Sequence, residues 1–450
     1  MFKTFINALK VKEIRTKLLF TFLMLIIVRV GCQLPIPGTD GEVIANVLSN
    51  FAGDGSFNFF SAFTGSTFEQ MSLFALGISP YITSSIIMQL LTIAIPKLEE
   101  LQKDGESGRK KIAEITRYVT VALALIEGIA MSIGFGNQGL FGDAEGAKLV
   151  MTAIVAVSAM VAGSAVLMWI GERITENGVG NGISIILLIN ILAGIPDDLI
   201  ALFQTKVLAE GMSFGIRIVA AVIIIGVMLV IIVLTLLLQD GERRIAVQYA
   251  KKLQGRKMLG GMSTHIPLKV NVAGVIPVIF ASSLMSFPGI IAGFFGVTAG
   301  SEGIMGKILS LLSTNAWFDI SDGLNSFKWT LGFIIYAALV VAFAYFYTAI
   351  TFNPTEVANN MKKQGGAVPG IRPGKPTEEY LTKILNAMVF IGAIGLLIVA
   401  SIPVVFSGLF NARVSFGGTS IIIVVGVILE TLKKIESMMV TRNYKGFLNN

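Results

Sequence analysis

Ten apolar runs alternate with polar stretches along this chain, at residues 18–30, 73–95, 118–135, 149–170, 183–200, 216–238, 272–295, 329–350, 384–405 and 419–432. Most approach the roughly 20 apolar residues that a helix needs to cross hydrocarbon. The pattern predicts an all-α integral membrane protein with ten transmembrane helices. It divides the chain into an arm at 1–17, a first half of five helices at 18–200, a sixth helix with its preceding loop at 201–238, helices seven and eight at 272–350, and helices nine and ten at 384–432. Between and after these lie two long polar loops at 239–271 and 351–383 and a tail at 433–450.

The basic residues orient that series. All but seven of the 35 Lys and Arg fall in the arm, in alternate loops and in the tail; the seven are Arg29, Lys148, Lys206, Arg217, Lys307, Lys328 and Arg413. By the positive-inside rule both termini are cytoplasmic and the protein is multi-pass. The arm and the run at 18–28 have the outline of a secretory signal. No small-x-small cleavage site follows, however, and nine further runs do, so the arm is expected to lie in the interface as an amphipathic helix.

Composition changes this picture little. At 54% hydrophobic and 14% charged residues, with mean hydropathy +0.77, the chain is excluded from the soluble multidomain class. Its net charge of +7 places basic loops before an anionic leaflet or an anionic partner. Cys32 is the single cysteine, so no intrachain disulfide forms.

An ion-coupled transporter needs several ionisable groups at mid-membrane. Glu127 is the one acid well inside a predicted span, and it is expected to hydrogen-bond to Ser84, Ser85 or Gln89 on a neighbouring helix. The second and seventh runs share the pattern G-x-x-P-x-I, at Gly77–Ile82 and Gly274–Ile279, each followed by paired serines (Ser84 with Ser85, Ser282 with Ser283). The two runs point in opposite directions, as in an inverted repeat, although the loop at 366–371 fits the same spacing. A proline inside a spanning helix leaves a carbonyl without its partner, so the helices can bend at Pro80 and Pro277 with nearby hydroxyls supplying the missing bond, although spanning helices also tolerate proline and serine routinely. Residues 40–72, rich in Phe, Gly and Ser, form either an external flap or a segment folded back into a central cavity.

Catalytic chemistry is absent from the pattern. His265 is the only histidine, no acidic pair suggests intramembrane proteolysis, and no G-x-x-x-x-G-K-[ST] occurs, so neither an enzyme, a metal site nor a cofactor is expected. Energy for any transport must come from a partner. The loop at 239–271 offers Arg243, Arg244, Lys251, Lys252, Arg256 and Lys257 around alternating Ile245, Val247 and Tyr249, a hairpin pattern; the loop at 351–383 offers Arg372 between two Pro-Gly corners. The residues alone leave two classes open, a passive protein-conducting channel and an ion-coupled small-solute transporter with inverted repeats.

Specific strings carry a resemblance that separates them. LFALGISPYITSSIIMQLL at 73–91, WIGERIT at 169–175, GNGIS at 180–184, RRI at 243–245 with QYAK at 248–251, STHIPLKVN at 263–271 and PGIRPG at 369–374 are similar to the SecY family, the channel subunits of the bacterial Sec translocon. The resemblance implies two inverted five-helix halves opening sideways like a clam. It implies a pore ring of Ile82, Ile86, Leu187, Ile191, Ile279 and Ile423, with leucine at 187 where the family most often has isoleucine. Without it, aliphatics at i and i+4 on a spanning helix are ordinary packing. It implies a plug within about 57–72, comprising Ser61, Ala62, Phe63, Thr64, Gly65, Ser66, Thr67, Phe68, Glu69, Gln70 and Met71, and a lateral gate with Ser85, Gln89, Glu127 and Ser282. The implied partners are SecE and SecG subunits, the motor ATPase SecA, the ribosome with its RNA, signal sequences and unfolded preproteins, and membrane lipid, all at the cell membrane.

Overall fold

The computed structural model describes residues 9–40, 64, 67, 70–136, 139–142, 146–207, 214–249, 252–254, 257–259, 263–294, 303–312, 330–410 and 418–448. Its first helices are α1 (Lys12–Cys32), α2 (Ser79–Ala94), α3 (Pro96–Lys103), α4 (Glu106–Gly136), α5 (Gly146–Asn177), α6 (Gly182–Lys206) and α7 (Phe214–Asp240). Strands β1 (Glu242–Tyr249), β2 (Lys252–Gln254), β3 (Lys257–Leu259) and β4 (Ser263–Lys269) follow, then α8 (Ile276–Phe294), α9 (Ile304–Leu312), α10 (Thr330–Thr351) and α11 (Pro354–Lys363). Strand β5 (Gly366–Ala367), α12 (Lys375–Phe410) and α13 (Gly418–Leu448) complete the order. Among the described residues five helices are long and apolar enough to cross a bilayer, or six if the bent pair α2 and α3 is one span.

Helix boundaries follow local chemistry. Ile95 is extended because the ring of Pro96 disfavours helical backbone in the residue before it, and α3 leaves α2 at 100°. Asn181 caps α6 by accepting from the Ile183 N–H at 3.2 Å, and Asn353 caps α11 by accepting from Thr355 and Glu356.

Pro80 and Pro277 do not bend their helices as expected. Each is the second residue of its helix, where a missing N–H costs nothing because first-turn N–H groups have no intrahelical partner. The glycine three residues earlier makes the turn in both cases, Gly77 at φ +57° and Gly274 at φ +67°. Residues 73–78 and 272–275 are therefore turns, and the spans drawn through them begin as helix only at Ser79 and Ile276.

The protein also departs from an all-α fold. β1 pairs antiparallel with β4, placing Ile245 opposite Ile266 and Val247 opposite Thr264, and its far end pairs with β5, Tyr249 opposite Gly366. The alternation of Ile245 and Val247 with polar neighbours sends one face into a small core with Leu268, Met361, Val368 and Leu381. The sheet thereby joins the two polar loops into one body, with His265 exposed on β4.

The helices pack in two groups, α1 to α6 and α7 to α13. In the first, α4 packs on α2 and α5, and α5 on α6; in the second, α10 packs on α8 and α12, and α7 on α13. The groups meet where α6 packs on α13, where α4 packs on α8 and, less extensively, where α6 packs on α7. One apolar cluster draws its residues from both groups.

Candidate pore and gate

Four helices contribute the six aliphatic candidates. Ile82 and Ile86 lie one turn apart on α2, Leu187 and Ile191 one turn apart on α6, Ile279 on α8 and Ile423 on α13. All six belong to the central apolar cluster, with Ile423 fully buried, Ile86 half-buried and the other four buried. Both helix groups contribute to it. Where such side chains line a constriction, it disfavours water and presents ions with a desolvation barrier.

Of the plug candidates, Thr64, Thr67, Gln70 and Met71 are placed; Ser61, Ala62, Phe63, Gly65, Ser66, Phe68 and Glu69 lie outside the described residues. The Thr67 hydroxyl donates to the Thr64 carbonyl at 2.8 Å and lies 3.1 Å from the carbonyl of Phe74. Thr64 sits over Gly77, where an added Cβ would come 3.1 Å from its Cγ2. Met71 is fully buried in a separate cluster with Leu76, Phe135, Leu140 and Met160, away from the six aliphatics. Its backbone is held from the other side, where the Ile36 N–H donates to the Met71 carbonyl at 2.9 Å.

The gate candidates divide. Gln89 Nε2 donates to Ser85 Oγ at 3.3 Å, and the hydroxyl of Tyr347 on α10 donates to Gln89 Oε1. Ser282 is buried on α8. Glu127 is half-buried on α4 and, among the described residues, has no hydrogen bond to the serines or the glutamine expected for it. Ser84 instead pairs with Thr120 of α4 at 2.5 Å. Thr120 and Tyr347 carried no signal in the linear pattern, since a hydroxyl on an apolar helix looks alike whether it faces lipid or a partner.

Between the start of α4, the end of α5, the start of α6 and the middle of α13 opens a cavity of 1190 Å³, lined by charges of both signs including Arg109, Lys110, Glu114, Arg117, Glu172 and Lys434. Arg117 pairs with Glu172 at 2.7 Å across α4 and α5. Lys433 pairs with Asp240 at 2.7 Å across α13 and α7. Among the docking candidates, Arg243 and Arg372 are exposed, and Arg244 is exposed while paired with Glu242 at 2.6 Å. Lys252 and Lys257 lie on β2 and β3; Lys251 and Arg256 are outside the described residues.

Comparison with known proteins places this architecture. The SecY family model matches residues 72–432. The chain is 44% identical to the protein translocase subunit SecY of Halalkalibacterium halodurans and 42% identical to that of Bacillus subtilis, with all of each chain covered. Its fold is similar to that of a solved protein-conducting channel at TM-score 0.63 and 20% identity, covering 96% of this chain and 94% of the other. Sec61 in a canine ribosome-channel complex matches at TM-score 0.59 and 18% identity, with the same coverage.

Proposed function

The chain belongs to the SecY family, and from that premise we propose that it is a protein-conducting channel that passes unfolded secretory polypeptides across the cell membrane and releases apolar segments sideways into lipid. The observation that carries the reading is the meeting of six aliphatic side chains from α2, α6, α8 and α13 in one buried cluster where the two helix groups face each other. Aliphatic side chains close around a thread of any sequence, because they offer no hydrogen bonds that would need satisfying. The small-solute transporter reading is set aside by family membership.

In this reading the ten apolar runs cross the membrane as two inverted halves, with both termini cytoplasmic. The placed plug residues close the outer side, and α2 with α4 parts from α8 with α10 to open sideways. Gly77 and Gly274, matching left-handed turns before α2 and α8, support the inverted relation. The charged cavity forms the cytoplasmic approach, where balanced signs neither attract nor repel one class of substrate. The joined body of the sheet and α11, carrying Arg243, Arg244 and Arg372, docks what drives the substrate, a SecA-type motor or the ribosome. SecE and SecG subunits attend the channel.

Ile423→Asn tests the ring. An unsatisfied amide at this fully buried position disfavours the shut state by roughly 1–3 kcal/mol and is expected to raise ion conductance about tenfold in planar bilayers. Conductance equal to that of the unaltered channel removes the six residues from the seal.

A further inference from the structure

The short helix α9 (Ile304–Leu312) contributes nothing to the six-aliphatic cluster and belongs to neither polar loop. Its level along the bundle follows from connectivity. α8 is entered from the sheet at β4, and α10 leaves toward the sheet through α11 and β5, so α9, between the far end of α8 and the start of α10, lies opposite the sheet. It packs on both helices, more extensively on α10. At Gly332, in the first turn of α10, a Cβ would stand 2.7 Å from the Leu312 carbonyl oxygen and 2.9 Å from that of Leu311, so the last turn of α9 rests backbone to backbone on α10.

The helix is sided. Gly306 and Leu309 are buried, whereas Ile304 is 81% and Ile308 44% exposed, with exposed Lys307 between them and half-buried Leu311 one turn on. Spacings of three and four residues put these four on one face. The start of α10 beside it also turns large apolar side chains outward, Leu331 and Ile334, and lipid tails are as apolar as such a face. Isoleucines flanking a lysine suit the boundary of headgroups and acyl chains, where the apolar groups are buried and the charged tip reaches water.

We infer that α9 is an interfacial helix whose Ile304 and Ile308 face is seated in the lipid surface at the end of the bundle opposite the sheet, where it sets the level of α10 in the bilayer. Lipid is the occupant because the face adjoins the outward apolar start of α10 and carries a cation among its isoleucines. Interfacial anchors fix the tilt and depth of a spanning helix, and the backbone contact at Gly332 passes that constraint to α10. Such seating requires only that the chain spans a membrane, not that it conducts protein.

The test uses the full chain with its partner subunits in vesicles of phosphatidylcholine and phosphatidylglycerol, carrying the small fluorophore NBD on a single cysteine in a Cys32→Ser background. Ile304→Cys and Ile308→Cys are the test positions; His265→Cys, exposed on β4, is the water-facing reference. A nitroxide near the headgroup end of the lipid's acyl chain is expected to quench both test positions at least about twofold more than one at mid-chain, because an interfacial helix lies only roughly 5–10 Å into the boundary. Iodide is expected to quench them severalfold less than the reference. Iodide quenching equal to the reference at either position puts the face in water, and no quenching by either agent puts it under another part of the protein. Stronger quenching from mid-chain puts it in the hydrocarbon core. Each of these three results overturns the seating. None depends on transport, so a failure of the channel reading is detected separately, by loss of protein export.

Discussion

The turn before α2 and the turn before α8 are written in the same local grammar but have different surroundings. Each has a glycine in the left-handed region followed three residues later by a proline in the first helical turn. At Gly77 the space is taken, with Thr64 Cγ2 3.1 Å from where a Cβ would stand; at Gly274 nothing lies within 4 Å. The turn at Gly274 is braced from within, by Asn271 Nδ2 donating to the Gly274 carbonyl at 2.7 Å. The comparison teaches that a repeated backbone device sets where a helix starts, while what packs on it decides whether the turn also holds another segment in place.

Substituting alanine at both glycines breaks the comparison most sharply. Left-handed backbone costs an L-residue roughly 1–2 kcal/mol, so Gly274→Ala is expected to lose about that much in thermal unfolding. Gly77→Ala adds displacement of Thr64, for a total of about 2–3 kcal/mol, and it alone is expected to raise ion leak. Equal losses at both sites, with no leak, would show that the Thr64 contact contributes nothing.

Thr67→Val acts on the covered turn alone. It keeps shape while removing the hydroxyl that bonds the Thr64 carbonyl and lies beside that of Phe74, an effect of about 1 kcal/mol. Increased proteolytic cleavage within residues 61–71, with the six-aliphatic cluster undisturbed, is the expected result. Protection equal to the unaltered protein would count against Thr67 as the anchor.

Asn271→Ala sharpens the comparison from the other side, and its effect is the smallest, about 0.5 kcal/mol for a partly exposed bond. A slight loss of thermal stability without leak is expected. Leak on this substitution would mean that the turn before α8 also guards the pore.

Much of the fold was legible because burial and periodicity leave a mark on every apolar run. The hairpin of β1 and β4 was likewise announced by Ile245, Val247 and Tyr249, whose alternation suits a sheet with one covered face. Pro80 and Pro277 lay inside the drawn runs as points where a helix can bend, because proline inside an apolar run looks the same whether the helix passes through it or begins there. The pairing of Tyr249 with Gly366 joins positions far apart in the chain, and a two-residue strand has no periodicity to detect. The candidate site was less legible: spacing at i and i+4 identifies one face of a helix, but lipid and lumen both accept isoleucine, and family resemblance was needed to choose among many such pairs.

The linear pattern alone determined that this is a membrane protein of apolar helices with basic polar loops, because the cost of placing charge in hydrocarbon is written residue by residue. Only the tertiary structure decided that six aliphatics from four helices share one cluster, that Met71 packs apart from them, and that Tyr347 rather than Glu127 meets Gln89. Such choices depend on which faces of distant helices are turned toward each other, and helix rotation about its own axis is set by packing, which no single segment encodes.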